Sequence, residues 1–151
     1  MNSFKNKKVI ITGGSRGIGL SVLEALYKLQ AEILTISSNP NNLENLKKKF
    51  PNIKIEQLNL KNQNDVVKQF PSLIDSLGGI DILINNAGIT KDNLTLRMKE
   101  EEWNDVINLN LNTTFFLTKE ILRFMVKNRF GRIINISSVV GSSGNIGQAN
   151  Y

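Results

Sequence analysis

Short runs of valine, isoleucine and leucine alternate along this chain with longer stretches that carry apolar residues at helical spacing. Continuous apolar runs are typical of strands that are buried on both faces of a parallel sheet by intervening helices. The pattern predicts five strands, at residues 8–12, 32–36, 53–58, 81–85 and 132–137. The expected fold class is therefore α/β, with a doubly wound parallel sheet, helices on both faces and a ligand crevice at the carboxyl ends of the strands.

Four helices are expected between these strands. Apolar residues from Ile18 to Leu29 lie on one helical face, and a second helix is predicted at residues 43–50. A third amphipathic pattern runs over residues 66–77, where Pro71 is expected to kink or restart the helix because proline lacks an amide hydrogen. Residues 101–128 keep a helical spacing throughout and predict one long helix.

Residues 12–19 read Thr-Gly-Gly-Ser-Arg-Gly-Ile-Gly and join the first strand to the first helix. Glycines in this position let the pyrophosphate of a nucleotide approach the backbone at a helix N-terminus. Glycines also serve any tight strand-to-helix turn, so it is the strand before and the helix after that favour nucleotide binding. The glycines at positions 13, 17 and 19 depart from the common G-x-G-x-x-G fingerprint.

This T-G-x-x-x-G-x-G spacing resembles that of the short-chain dehydrogenase/reductase family, and three further segments match the family in order. They are residues 85–88 (Asn-Asn-Ala-Gly), Asn110, and the pair Ser138 and Tyr151, which lie 13 positions apart. Taken singly, each also has a structural explanation as a turn, a helix-bending asparagine, a strand-end serine or a partly buried aromatic residue. The resemblance covers essentially the whole chain and implies a single NADP-binding, Rossmann-type domain over residues 1–151.

The resemblance implies a nicotinamide cofactor. The second strand ends at Ser37-Ser38-Asn39, without the acidic side chain that binds the ribose hydroxyls of NAD. Arg16 is able to pair with a 2′-phosphate, so we predict NADPH rather than NADH, with a solvated surface arginine as the alternative. The expected cofactor-binding residues are Gly13, Ser15, Arg16, Gly17, Ile18, Gly19, Ser37, Ser38, Asn59, Leu60, Asn86, Ala87 and Gly88.

Residues 136–151 are similar, within the family, to reductases of 3-oxoacyl groups carried by acyl carrier protein in fatty-acid biosynthesis. The resemblance implies that Tyr151 donates a proton to the substrate oxygen, Ser138 holds that oxygen and Asn110 completes the catalytic set. Acyl carrier protein bearing a 3-oxoacyl group is the expected partner, and Arg129 matches an arginine that docks the carrier. The resemblance also implies a homotetramer for the full-length form.

The family carries a lysine four residues after its tyrosine, whereas Tyr151 is the last residue of this sequence, so that position is not part of it. We therefore expect the chain to be the N-terminal part of a reductase, without the C-terminal strands and helices of the fold, and inactive by itself. Two other interpretations stay open. One is a degenerate, non-catalytic relative that binds a nucleotide, and the other is a short-chain reductase of a different ketone or alcohol. The apolar fifth strand is expected to be an exposed edge that promotes association.

Composition excludes several kinds of chemistry. The chain has no cysteine and no histidine, so disulfides, histidine- or thiolate-bound metals and a Ser-His-Asp relay are excluded, and no metal site is expected. The net charge of +6 is spread along the chain rather than gathered into a basic arm, so we expect no nucleic-acid partner. No apolar run approaches a membrane-spanning length, and the expected location is the cytoplasm, with an organellar matrix also open.

Overall fold

The computed structural model describes residues 3–151 and contains one five-stranded sheet of order β3-β2-β1-β4-β5. Every neighbouring pair of strands is parallel. Each predicted strand is present, with ends that shift by no more than two residues, and the α/β fold class is confirmed. The strands are β1 (Lys8–Thr12), β2 (Glu32–Ser37), β3 (Lys54–Gln57), β4 (Ile82–Asn85) and β5 (Arg132–Asn135).

Helices connect the strands, and two of the predicted helix boundaries require correction. The second helix begins at Pro40 rather than at residue 43, because the Asn39 side chain accepts a hydrogen bond from Asn41 N and proline suits the first helical position. The third helix runs through Pro71 without a restart. The helices are α1 (Gly17–Lys28), α2 (Pro40–Lys49), α3 (Gln63–Leu77), α4 (Glu100–Val106), α5 (Thr113–Asn128) and a short α6 (Val140–Ser143), which the sequence pattern did not predict.

The helical stretch predicted over residues 101–128 is present without a break, but it is not one regular α-helix, because a π-helical segment at Ile107–Asn112 lies between α4 and α5. Thr113 Oγ1 donates to the carbonyl of Asn108, five residues earlier, at 2.9 Å, and it also contacts the carbonyl of Leu60. These bonds stabilise a widened turn that a regular α-helix does not contain. Such π segments occur frequently at functional sites, and this one carries Asn110.

The core consists of two apolar layers, one on each face of the sheet. Alternate residues of a strand point to opposite faces, so Ile10 and Leu83 pack with Phe70 of α3, whereas Val9 packs with Leu23 of α1. The first layer also contains residues of α5, and the second contains residues of α2. Helices α1 and α2 therefore cover one face and helices α3 and α5 cover the other, which is the doubly wound arrangement.

Strand β5 forms an edge of the sheet, where it pairs with β4. Ile133 and Ile134 of this strand, and Ile136 directly after it, are between 36% and 45% exposed, as expected for an uncovered edge. Helix α5 beside it exposes Phe115 and Val126. In the part of the chain that the structure describes, no helix is long and apolar enough to cross a membrane.

Candidate cofactor-binding and catalytic groove

The two segments that carry the family motifs meet where the order of the sheet reverses. From β1 the chain continues to β2 and β3 on one side, and β4 then lies on the other side of β1. Because the connections leave β1 and β4 towards opposite faces, a crevice opens at the carboxyl ends of these two strands. The glycine-rich turn of residues 13–16 follows β1, and residues 86–88 follow β4, so both line this crevice.

Glycine is required in the turn both by backbone conformation and by close packing. Gly13 and Gly17 have φ values of +69° and +53°, in the left-handed region that favours glycine. At Gly19, a Cβ atom would lie 2.3 Å from Gly13 O and 2.4 Å from Asn86 Nδ2. The first turn of α1 therefore packs directly on the glycine-rich turn, and the free amide groups of this helix end lie beside the crevice.

Four hydrogen bonds join the residues that follow β4 to the end of β1, in addition to a longer one from Thr12 Oγ1 to Ile84 O at 3.5 Å. Thr12 Oγ1 accepts from Asn86 N and from Ala87 N, both at 3.0 Å. Asn86 Nδ2 donates to Thr12 O at 3.0 Å and to Gly13 O at 3.1 Å. Both amide hydrogens of Asn86 are therefore used to support the glycine-rich turn. Thr12 is not among the predicted site residues, although its position directly before the glycine-rich turn was the available signal.

One part of the crevice is a cavity of about 700 Å³, and all the residues predicted to bind the cofactor line it. Ser15 Oγ and Ser37 Oγ lie 3.2 Å apart, and this contact links the glycine-rich turn to the end of β2. Arg16 immediately precedes α1. Lining residues that were not predicted include Asn42, Lys61, Thr90, Lys91, Asp105 and Leu109.

Asp105 is the one acidic side chain among the residues that line this cavity in the described structure, and two lysines neutralise it. Its carboxylate lies 3.0 Å from Lys61 Nζ and 3.1 Å from Lys91 Nζ. Hydrogen bonds from Lys61 and then from Lys91 lower the pKa of Asp105, and the same pairing raises the pKa of Lys91. Asp105 therefore stays ionised and joins the loops after β3 and β4 to helix α4.

A second cavity of about 690 Å³ contains the three predicted catalytic residues, Asn110, Ser138 and Tyr151, along its lining. Arg16, Ile18 and residues 86–90 line both cavities, so the two form one continuous groove. Ser138 Oγ accepts from Val140 N at 3.3 Å, which leaves its hydroxyl hydrogen free to donate. The structure therefore brings all three residues to one end of the groove, and the glycine-rich turn lies at the other part of the same groove.

Asn110 fixes the segment that follows Gly88. Its Oδ1 accepts from Ile89 N at 3.0 Å, and its Nδ2 donates to Ile89 O at 2.9 Å. A Cβ atom on Gly88 would lie 3.4 Å from Asn110 Oδ1, so the two segments pack closely. The π-helical segment thus presents an asparagine whose amide pairs with both backbone groups of one residue in the groove wall.

Arg129 lies apart from these residues. It follows α5 and precedes the first residue of β5, whereas Ser138 and Tyr151 follow the carboxyl end of that strand. It lines a separate shallow surface groove with Phe130 and Arg132. Within residues 3–151, no group of three or more acidic, histidine or cysteine side chains is arranged to hold a metal ion.

Comparison with known proteins agrees with this geometry. A family model described as short chain dehydrogenase matches residues 7–151. The chain is similar to 3-oxoacyl-[acyl-carrier-protein] reductase FabG of Vibrio cholerae and of Escherichia coli K12, with 43% identity to each over 150 residues and 99% of this chain. The FabG protein of Rickettsia conorii is 43% identical over 152 residues and 100% of the chain.

The chain spans about 62% of the length of the curated relatives from Vibrio cholerae and Escherichia coli, and about 61% of that from Rickettsia conorii. The family match is nevertheless continuous from before β1 to Tyr151. It includes the glycine-rich turn, the residues after β4, the π-helical segment and the segment after β5. The chain therefore belongs to the short-chain dehydrogenase family.

Proposed function

We propose that residues 1–151 form the NADP-binding domain of an NADPH-dependent reductase that converts 3-oxoacyl-[acyl-carrier-protein] to the 3-hydroxyacyl form. The observation that carries the proposal is the continuous groove, with the predicted cofactor-binding residues at one end and Asn110, Ser138 and Tyr151 at the other. The similar proteins from three bacteria bear the name of this reductase, which supports the choice of substrate.

The residues present fit a dinucleotide phosphate. No atom lies within 4 Å of the position of a Cβ on Gly17, so the backbone here is open to close approach by a ligand. The first amides of α1 would bind the pyrophosphate, and Arg16 would pair with the 2′-phosphate beside Ser37. The end of β2 presents serine and asparagine rather than a carboxylate, so no negative charge there repels that phosphate.

The chemistry of the chain's own residues is donation to the substrate oxygen. When bound, NADPH supplies a hydride to the ketone carbon. Ser138 would donate its free hydroxyl hydrogen to the ketone oxygen, and Tyr151 would transfer its phenolic proton to that oxygen as negative charge develops. Asn110 holds Ile89 in the groove wall and thereby keeps the reacting end of the groove in shape.

The cofactor proposal is tested by titration of the protein with NADPH and NADH, followed by nucleotide fluorescence. We expect NADPH to bind at least about tenfold more tightly, and Arg16→Ala to remove most of that preference, because a charged hydrogen bond to phosphate contributes about 1.5–3 kcal/mol. Arg123→Ala is the matched control, because Arg123 pairs with Glu120 on α5 and does not line the groove. Equal affinities for the two nucleotides would contradict the assignment.

The substrate proposal is tested by comparing turnover of a 3-oxoacyl carrier thioester with turnover of simple ketones. Faster reduction of the carrier substrate supports the proposal, whereas faster reduction of simple ketones favours a reductase of another class. Because residues 1–151 are expected to be inactive by themselves, turnover is measured on the whole protein to which they belong. Nucleotide binding there without any turnover favours a non-catalytic relative. We further propose that Arg129 docks the carrier, and Arg129→Ala is then expected to raise the KM for the carrier substrate without changing nucleotide affinity.

A further inference from the structure

The segment that ends at Tyr151 is attached to the loop between β4 and α4. Asn93 N donates to Gly147 O at 2.8 Å. Gln148 Nε2 donates to both carboxylate oxygens of Asp92, at 3.0 Å and 3.1 Å. Two adjacent residues of the loop therefore hold two adjacent residues of the segment, three to four positions before Tyr151.

Asn150 makes the connection nearest to Tyr151. Its side chain is buried, with 5% of the residue exposed. Its Nδ2 donates to Lys91 O at 2.9 Å and to Glu102 O at 3.1 Å, so both amide hydrogens are used. The Asn150 side chain therefore joins the segment before Tyr151 both to the loop between β4 and α4 and to helix α4.

The two acceptors of Asn150 belong to a firmly connected part of the structure. The Glu102 carboxylate accepts from Lys99 N at 2.8 Å and from Asn93 Nδ2 at 3.1 Å, and these bonds lower the pKa of Glu102. The Lys91 ammonium is paired with Asp105, which lies on α4 together with Glu102. The loop and α4 thus hold each other in place independently of Asn150.

Tyr151 itself has little support from its own side chain. It is 41% exposed, and within residues 3–151 no hydrogen bond reaches its hydroxyl group, although its backbone amide donates to Gln148 O at 3.1 Å. Its Cα lies one peptide unit, about 3.8 Å, from that of Asn150. Within residues 3–151, the hydrogen bonds that hold Tyr151 are therefore those of its backbone and of the residue before it.

We propose that Asn150 is a positioning residue, whose buried amide anchors the backbone of Tyr151 to Lys91 O and Glu102 O and so directs the phenol into the groove. This inference rests on the proposed function, because it gives Tyr151 a defined place for proton donation. Removal of the amide donor is expected to leave the groove intact and to release the tyrosine. The carboxamide, rather than the bulk of the side chain, is the part that acts.

The direct test is ¹⁹F NMR of the protein labelled with 3-fluorotyrosine, because the chain has two tyrosines, Tyr27 and Tyr151. In Asn150→Ala and in the isosteric Asn150→Asp, which lacks the amide hydrogens, we expect the Tyr151 resonance to sharpen and move to the position of free fluorotyrosine. The Tyr27 resonance, from a ring packed on Phe50, should not move and so reports an intact fold.

The matched control is Asn145→Ala, since the exposed Asn145 side chain bonds to Gln148 of its own segment rather than to the loop or α4. It should leave the Tyr151 resonance unchanged. A Tyr151 resonance in Asn150→Ala or Asn150→Asp that matches wild type would overturn the proposal. Movement of the Tyr27 resonance as well would also overturn it, because the amide would then support the whole fold rather than Tyr151.

Turnover gives a second readout, because a misplaced proton donor slows the reaction without weakening cofactor binding. We expect the kcat for a 3-oxoacyl thioester to fall roughly 10- to 100-fold in Asn150→Ala, as displacement of a reacting group by about 1 Å does. The KM for NADPH should stay within about twofold. An unchanged kcat would contradict the proposal. Turnover is measured on the whole protein that contains residues 1–151, because this part is expected to be inactive by itself. Absence of turnover in that wild-type protein would instead count against the proposed function, while the NMR result would still decide the role of Asn150.

Discussion

Replacing Thr12 with valine removes the oxygen that accepts hydrogen bonds from Asn86 N and Ala87 N and that donates to Ile84 O at 3.5 Å, while it keeps the shape of the side chain. Thr35 provides a matched control on the neighbouring strand. Both threonines are buried, with 2% of Thr12 and none of Thr35 exposed. Thr35 Oγ1 makes a single bond, in which it donates to Ile11 O at 3.1 Å. The same substitution therefore has different consequences at the two positions.

The expected magnitudes follow from the number and type of bonds that are lost. Thr35→Val removes one donor and should lower the free energy of unfolding by about 1 kcal/mol, the typical net value of one hydrogen bond. Thr12→Val leaves two amides without their acceptor, at a cost of about 1–3 kcal/mol for each fully buried group. Because Asn86 and Ala87 are only partly buried, we take the lower end and expect a loss of about 2–3 kcal/mol.

Urea unfolding followed by circular dichroism measures both losses, and the gain from burying an extra methyl group largely cancels between the two variants. Titration with NADPH should also show weaker binding for Thr12→Val alone, since Asn86 and Ala87 line both cavities of the groove. Equal losses of stability in the two variants, or a loss below about 0.5 kcal/mol for Thr12→Val, would refute the reasoning.

Three further predictions concern other parts of the molecule. Gly19→Ala places a Cβ against Gly13 O and should destabilise the protein by about 2–4 kcal/mol in urea unfolding, whereas Gly141→Ala, which meets no atom within 4 Å, should not. The hydrogen bonds from Lys61 and Lys91 hold the pKa of Asp105 below its ordinary value of 3.8. The stability that these two ion pairs give the folded protein is therefore present above about pH 4 and is lost as the pH falls through the lowered pKa. Thermal unfolding between about pH 5 and pH 3 should then depend less on pH in Asp105→Asn, and an equal dependence would contradict this. Ile134→Lys on the exposed edge strand should reduce self-association in sedimentation, and unchanged association would exclude that edge as the contact.

Much of the fold was predictable because it follows from local patterns. Consecutive apolar residues specify a strand buried on both faces, and each of the five predicted strands is present within two residues of its expected ends. Local pattern also explains why all the predicted cofactor-binding residues line one cavity. Those residues follow the ends of parallel strands, and such ends necessarily lie at one edge of a sheet.

Helix interruptions were less predictable, because they depend on contacts outside the helix. Apolar spacing over residues 101–128 continues through the π-helical segment, so periodicity alone gives no sign of it. The hydroxyl of Thr113 reaches the carbonyl of Leu60, more than fifty residues away in sequence. The opposite error occurred at Pro71, where the buried neighbours Phe70 and Ile74 pack into the core and the helix continues through the proline.

The sequence by itself therefore determined the α/β class, the order of the elements, the glycine-rich turn and many, though not all, of the residues that line the groove. Tertiary structure decided what those side chains do. The side-chain amides of Asn86 and Asn110 donate hydrogen bonds to backbone carbonyls of the groove wall. Asp105 pairs with lysines from two different loops, and Asn150 joins a loop to a helix. The physical reason is that periodicity reports only which face of an element is buried, whereas a hydrogen bond or ion pair depends on a partner that folding brings close from a distant part of the chain.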